Sequence, residues 1–144
     1  MPTGEHLLRA AGLRVTRPRV AVLAVLAQGG HLDVEEITRQ VRDRLTSVST
    51  QAVYDVLGAL SRAGLARRIE PAGSHARFEA RAGDNHHHVV CRGCGTIEDV
   101  DAVVGEQPCL EPGAAHGFEA VEAEVTFWGL CPACQQERRA DRAA

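Results

Sequence analysis

Lysine is absent from this 144-residue chain, so every basic side chain is arginine. No apolar run approaches the roughly 20 residues that span a bilayer, which excludes a transmembrane helix. The opening Met1-Pro2-Thr3-Gly4-Glu5 lacks the basic and apolar segments of a signal peptide, so a cytoplasmic location is expected. There is no Ser/His/Asp constellation and no phosphate-cradling glycine loop, which argues against nucleophilic and nucleotide-dependent catalysis. No internal repeat is present.

Cysteine and histidine, by contrast, are grouped. Asn85-His86-His87-His88-Val89-Val90-Cys91-Arg92-Gly93-Cys94 sets three histidines directly before a Cys-x-x-Cys, and Cys131-Pro132-Ala133-Cys134 follows after 36 residues. A structural zinc takes four soft ligands in a tetrahedron, and a Cys-x-x-Cys turn supplies two at once. Cys91, Cys94, Cys131 and Cys134 therefore read as the four ligands of a single zinc ion. The gap exceeds the roughly 15–20 residues of a zinc ribbon, so the ion would tie together two distant strand ends. A redox dithiol would leave the second pair unexplained. On a strand, successive side chains alternate faces, which puts His86 and His88 on one side and His87 on the other. Two co-facial imidazoles point to a second ion site apart from the sulfurs; a solvated loop is the plainer alternative for that run. Four metal-spaced cysteines out of five fit a reducing compartment better than a disulfide scaffold.

The net charge of −3 speaks against a nucleic-acid partner until it is divided. Residues 1–82 carry twelve Arg against eight acids, whereas residues 83–144 carry four Arg against eleven acids. A basic first half suits an anionic partner. The balance flips at Arg81-Ala82-Gly83-Asp84, which reads as a hinge. The expected organisation is a nucleic-acid-binding domain over 1–82, a metal-binding dimerisation domain over 83–134 and a flexible tail over 135–144.

Local signals fill in the first half. Glu5–Ala11 reads as a short helix stopped by Gly12. Thr16 caps a second helix with Pro18 in its first turn, where a missing N–H costs little. That helix is apolar nearly all round through Ala27, hence buried. His31 falls in the following turn. Asp33 with Glu36 forms a capping box opening a third helix, and Ser49 caps a fourth that ends at Ala63-Gly64. In the fourth, Val53, Val56, Leu57 and Leu60 share one face, while Thr50, Gln51, Tyr54 and Asp55 share the other, as a recognition helix in a major groove requires. A solvated helix face is the bland alternative. Leu65–Ile69 and Ala76–Ala80 read as a hairpin around Pro71-Ala72-Gly73-Ser74. Three helices and a hairpin make a winged helix, with Arg67, Arg68 and Arg77 placed to touch phosphates.

Beyond the hinge, strands are expected over His86–Cys91 and Thr96–Val100, a short helix over Ala102–Leu110, and an alternating strand over Ala120–Trp128. In that last strand Val121, Ala123, Val125 and Phe127 would share one face. So small a core calls for zinc and for a homodimer. The fold class is α+β: a winged helix followed by a small α/β dimerisation domain.

Gly12-Leu13-Arg14-Val15-Thr16-Arg17-Pro18-Arg19, Ala52-Val53-Tyr54, Phe78-Glu79 and His86-His87-His88-Val89-Val90-Cys91-x-x-Cys94-Gly95 together resemble the ferric uptake regulator (Fur) family over about residues 7–134. Within it, Gln51-Ala52-Val53-Tyr54-Asp55-Val56-Leu57 and Gly83-Asp84-Asn85-His86-His87-His88 are similar to the actinobacterial, catalase-linked branch. The resemblance implies a metal-dependent homodimeric repressor of operator DNA, with no small-molecule substrate and no membrane partner. It implies structural Zn(II) on the four cysteines and a regulatory Fe(II), Mn(II) or Zn(II) on His31, Glu79, His86, His88 and Asp99. DNA contacts carry over onto Tyr54 and onto Arg14 and Arg19, beside Thr50, Gln51, Arg67 and Arg77 from the helix and hairpin. Relatives often have Arg after the Tyr; here Asp55 stands there and should repel phosphate. A further family site would use His87 and Glu106, but Ala123 occupies the expected histidine, with His116 or Glu122 as substitutes.

The resemblance also bears on the signal. Asp99 stands where peroxide-sensing members usually have Asp and iron-sensing members Glu; Glu79 is of the iron-sensing kind. Cys109, His31 and His86 are the candidate redox residues, though a lone cysteine is more often a small buried hydrophobe. The expected function is peroxide-responsive repression of a catalase-type gene and of its own gene. The alternative is an iron- or zinc-uptake repressor. An Fe(II) oxygenase site would need open positions that five protein ligands do not leave, and a storage module would leave the winged helix idle.

Overall fold

The computed structural model describes residues 2–80, 87–100, 116–119 and 125–143, and the chain divides into two compact units, Met1–Gly83 and Asp84–Ala144. The architecture is α+β, with five helices and two three-stranded sheets among the described residues. None of these helices is long and apolar enough to cross a membrane.

In the first unit, α1 (Gly4–Ala10), α2 (Arg17–Leu26), α3 (Val34–Arg44) and α4 (Thr50–Arg62) each start where a short polar side chain can serve the orphan N–H groups of a first turn. Thr16 Oγ1 accepts from the Arg19 N–H at 3.3 Å, and Ser49 Oγ accepts from the Ala52 N–H at 3.0 Å. Asp33 accepts from the Glu36 N–H at 2.8 Å while Glu36 accepts back from the Asp33 N–H at 3.2 Å, completing the capping box. Leu8, Val22, Val25, Leu26, Ile37, Val41, Val53, Leu57 and Leu60 interlock as a single buried core. The apolar period of α4 thus decides which face is left outside: Thr50, Gln51, Tyr54 and Asp55 are exposed.

The sheet of this unit differs from the expected hairpin. Strands β2 (Ala66–Ile69) and β3 (Arg77–Ala80) pair antiparallel as read, but a two-residue strand β1 (Leu32–Asp33) adds to the other edge of β3. Two residues carry no readable period, and their strand character comes wholly from the distant partner. The segment holding His31 is therefore not a free turn.

In the second unit, β4 (His87–Cys91) lies central, antiparallel to β5 (Ile97–Val100) and parallel to β6 (Thr126–Gly129). Pro132–Ala143 forms helix α5, where a flexible tail over 135–144 was expected. Its Ala, Gln, Glu and Arg residues are strong helix formers, and its first turn is tied down: Gln135 Nε2 donates to the Leu130 carbonyl at 2.8 Å. No residue of α5 is buried. Over the described end of the expected last strand, β6, Phe127 and Trp128 fall on opposite faces and are equally exposed, at 39%. The expected helix over 102–110, the stretch 120–124, and His86, Glu106, Cys109 and Glu122 lie outside the described residues.

Candidate metal centres and nucleic-acid face

Cys91 ends β4 and Cys94 lies in the turn after it, while Cys131 immediately precedes α5 and Cys134 lies in its first turn. The parallel pairing of β4 with β6, in register from His88↔Thr126 to Cys91↔Gly129, brings the two knuckles together. Their four Sγ atoms lie within 4.8 Å of one another. The surroundings favour thiolate. Cys91 Sγ accepts from the Cys131 N–H at 3.3 Å and the Cys94 N–H at 3.5 Å, and Cys131 Sγ accepts from the Cys134 N–H at 3.5 Å. The Cys131 and Cys94 N–H groups pull the Cys91 thiol down from 9.0 to about 6. A bond with Thr96 Oγ1, 3.0 Å away, lowers Cys94 as well.

Cys134 moves the other way. Hydrogen bonding within the sulfur cluster, led by Cys131 and Cys91, pushes it up to about 12. Four sulfurs at this spacing cannot all be ionised without a cation among them. A divalent, thiophilic ion cancels that repulsion, so the donor set fits a structural zinc.

One residue of this centre was missed by sequence reasoning. A Cβ on Gly93 would stand 2.9 Å from Cys134 Sγ and 3.3 Å from its Cβ. The bare backbone of Gly93 is the wall against which Cys134 packs, and no ligand pattern signals it. Gly93→Ala is expected to loosen zinc by roughly 10–100-fold, the usual cost of disturbing a ligand's support. Competition against a chromophoric chelator measures it, and unchanged affinity would show that Cys134 has room to move.

Two histidine–carboxylate pairs lie elsewhere, one in each unit, and both are built by strand register. In the first unit Leu32 stands opposite Phe78. One residue before that pairing, His31 Nε2 lies 2.9 Å from Glu79 Oε2, with both side chains buried (7% and 6% exposed). In the second unit His88 stands directly opposite Asp99. His88 Nε2 is 3.4 Å from Asp99 Oδ1, the imidazole fully buried and the carboxylate 47% exposed. Protonated, each Nε2 donates to its carboxylate; deprotonated, it is a ligand atom beside an oxygen ligand. This nitrogen-plus-oxygen set suits Fe(II), Mn(II) or Zn(II). Of the expected regulatory ligands, four are thus found in two pairs, and His86 lies outside the described residues.

His87 points away from His88, as alternation requires. Its Nδ1 accepts from the Val125 N–H at 3.1 Å, so one ring nitrogen is already used. His116 is exposed, on a segment with positive φ (50°).

The expected DNA contacts are distributed unevenly. Thr50, Gln51, Tyr54 and Arg14 are exposed. Arg19 Nη1 donates to the Arg14 carbonyl at 2.8 Å, bracing the loop before α2. Arg77 is half-buried opposite Asp33. Arg67 stands opposite Glu79 with Nη1 buried. That nitrogen is turned from solvent, so the Arg67 guanidinium is not fully presented to phosphate as expected. Arg62 was not anticipated: with Tyr54, Arg68 and His75 it lines a cleft of about 540 Å³ between α4 and the β2–β3 hairpin.

Residues 10–128 match the Ferric uptake regulator family. Transcriptional regulator FurA of Mycobacterium tuberculosis is 58% identical over 134 residues, covering 93% of this chain and 91% of its own length. The solved ferric uptake regulator of Vibrio cholerae superposes with a TM-score of 0.70 at 29% identity, covering 88% of this chain and 98% of that one. The Campylobacter jejuni peroxide stress regulator gives 0.64 at 26% identity, covering 90% and 94%.

Proposed function

This chain belongs to the ferric uptake regulator family and is a metal-responsive transcriptional regulator rather than an enzyme; from that premise we propose that it is a peroxide-responsive repressor that binds operator DNA as a homodimer in the cytoplasm. Its targets in this reading are a catalase-type gene and its own gene. The two histidine–carboxylate pairs carry the proposal. His31 and Glu79 sit on the winged-helix unit; His88 and Asp99, with His86 added by the family resemblance, sit on the other. The family resemblance assigns all five as ligands of the regulatory ion. A divalent ion held there would supply the positive charge that both pairs need, and holding it would tie His31 and Glu79 to His88 and Asp99 at a set angle. In a dimer this angle sets the spacing of the two α4 helices against operator half-sites. Metal affinity and DNA affinity are then coupled, and reciprocally so.

The homodimer is supported by the second unit's composition. Val90, Cys91, Ile97 and His88 are its buried residues among those described, while Phe118 is 80% exposed and Phe127 and Trp128 39% exposed. Apolar surface on so thin a core asks for a second copy.

Asp99 supports the choice of signal. It is the one carboxylate of the four-residue set that faces solvent, so a small oxidant has access at that edge. Similarity to the Campylobacter peroxide stress regulator points the same way. Glu79, the iron-sensing residue at its position, favours the second reading of an iron- or zinc-uptake repressor. The test is a DNA-shift assay on Fe(II)-loaded protein with micromolar peroxide. The expected result is at least a tenfold loss of operator affinity, with oxygen found by mass spectrometry on His31 or His86. Unchanged binding overturns the peroxide reading and leaves the metal-level sensor, and oxygen on the cysteines moves the chemistry to the zinc centre.

A further inference from the structure

A carboxylate on a helix face meant for DNA is repelled by the phosphates. Asp55 occupies that face all the same, fully in line with Gln51 and Tyr54. The contact beside it gives it a use. Gln51 Nε2 donates to Asp55 Oδ1 at 3.0 Å, one turn along α4, so the two side chains hold each other in place. Tyr54 flanks them at 54% exposure. Farther along the same face Gly58 leaves bare backbone, over which the Arg62 guanidinium folds back: a Cβ there would stand 3.2 Å from Arg62 Nη1. The face thus presents amide, phenol, carboxylate and guanidinium in sequence, with the carboxylate between the phenol and the guanidinium.

We propose that Gln51 and Asp55 act as one readout unit that selects a C·G pair by accepting a hydrogen bond from cytosine N4 in the major groove; this rests on the DNA-binding reading above. A carboxylate can only accept, and the major-groove edge offers two donors, cytosine N4 and adenine N6. Adenine N6 lies between two acceptors, its own N7 and thymine O4, both of which repel a carboxylate. Cytosine N4 has guanine O6 on one side and only a C–H on the other. Asp55 therefore selects cytosine. Gln51 spends one N–H on aiming Asp55 and keeps its other N–H and its carbonyl for the neighbouring base.

The test is selection from a randomised duplex library by the Mn(II)-loaded full chain, followed by sequencing. Wild type is expected to prefer cytosine at one position of each half-site by roughly tenfold. Asp55→Ala should flatten that preference while raising affinity for unselected duplex, because a negative charge leaves the DNA face. Gln51→Ala should weaken the preference without that gain. A merely structural role for Asp55 would not separate discrimination from affinity in this way. A wild-type library that enriches while Asp55→Ala keeps every base preference overturns the readout unit alone. A metal-loaded wild type that enriches nothing rejects the DNA-binding reading with it.

Discussion

Removing zinc from the four-cysteine centre, by chelation or by Cys91→Ser, is expected to unfold Asp84–Ala144 and leave Met1–Gly83 folded. The asymmetry follows from where each unit keeps its stability. The first unit owns a contiguous core of Leu, Val and Ile side chains and four capped helices. The second buries few apolar residues among those described, and α5 buries none. Structural zinc contributes about 10–16 kcal/mol in small zinc domains, as much as the whole stability of an ordinary domain. Here the ion also replaces a repulsion. Without it, the thiolate favoured at Cys91 opposes ionisation at Cys134. Calorimetry of the chelated protein should show the transition of the first unit retained and that of the second lost. Amide exchange should show protection surviving in α2 and α4 but not in β4. Loss of both units together, or of neither, would contradict a stability held locally by the sulfurs.

The sulfur centre was legible because its signal is local: two Cys-x-x-Cys turns specify ligand type and half the geometry before any fold is known. The helix starts were legible for the same reason, as Thr16, Asp33 and Ser49 act within one turn of themselves. What stayed hidden depends on pairing across the chain. Strand β1 exists because β3 accepts it, and nothing in Leu32-Asp33 announces that. The register of β1 on β3 is what sets His31 beside Glu79, so the resemblance supplied that pair and local pattern did not. Gly93 was invisible because its role is the absence of a side chain next to a sulfur 41 residues away in the chain. Arg67 misled because a charge on a hairpin reads as surface, whereas its place opposite Glu79 turns part of it inward. The end of the chain misled through composition: polar Arg-rich residues were read as disorder, although their helix propensity was high and Cys131 and Cys134 anchor the first turn.

His31→Ala and His88→Ala are each expected to erase the effect of metal on operator binding, and the double variant is expected to do no more than either alone. Coupling of this kind commonly amounts to about 1–3 kcal/mol, or 5–150-fold in affinity. In wild type, added Mn(II) should therefore tighten binding within that range; in each variant the ratio should fall to about one. Mn(II) is the probe because it does not invite peroxide chemistry during the measurement. In the proposed reading His31 and His88 serve the same ion and form a single thermodynamic link, so their losses should not add. Independent sites would add, and a site confined to Asp84–Ala144 would leave His31→Ala fully responsive. Glu98→Ala is the control. It neighbours Asp99 on β5 but, by strand alternation, faces the opposite side, so removing its charge should leave the metal response intact. Both histidines are buried, so each variant needs an independent check that it is folded. The four-cysteine centre supplies one, since zinc retained at one ion per chain with an unchanged Mn(II)-free DNA affinity isolates the lost response to the regulatory ion itself.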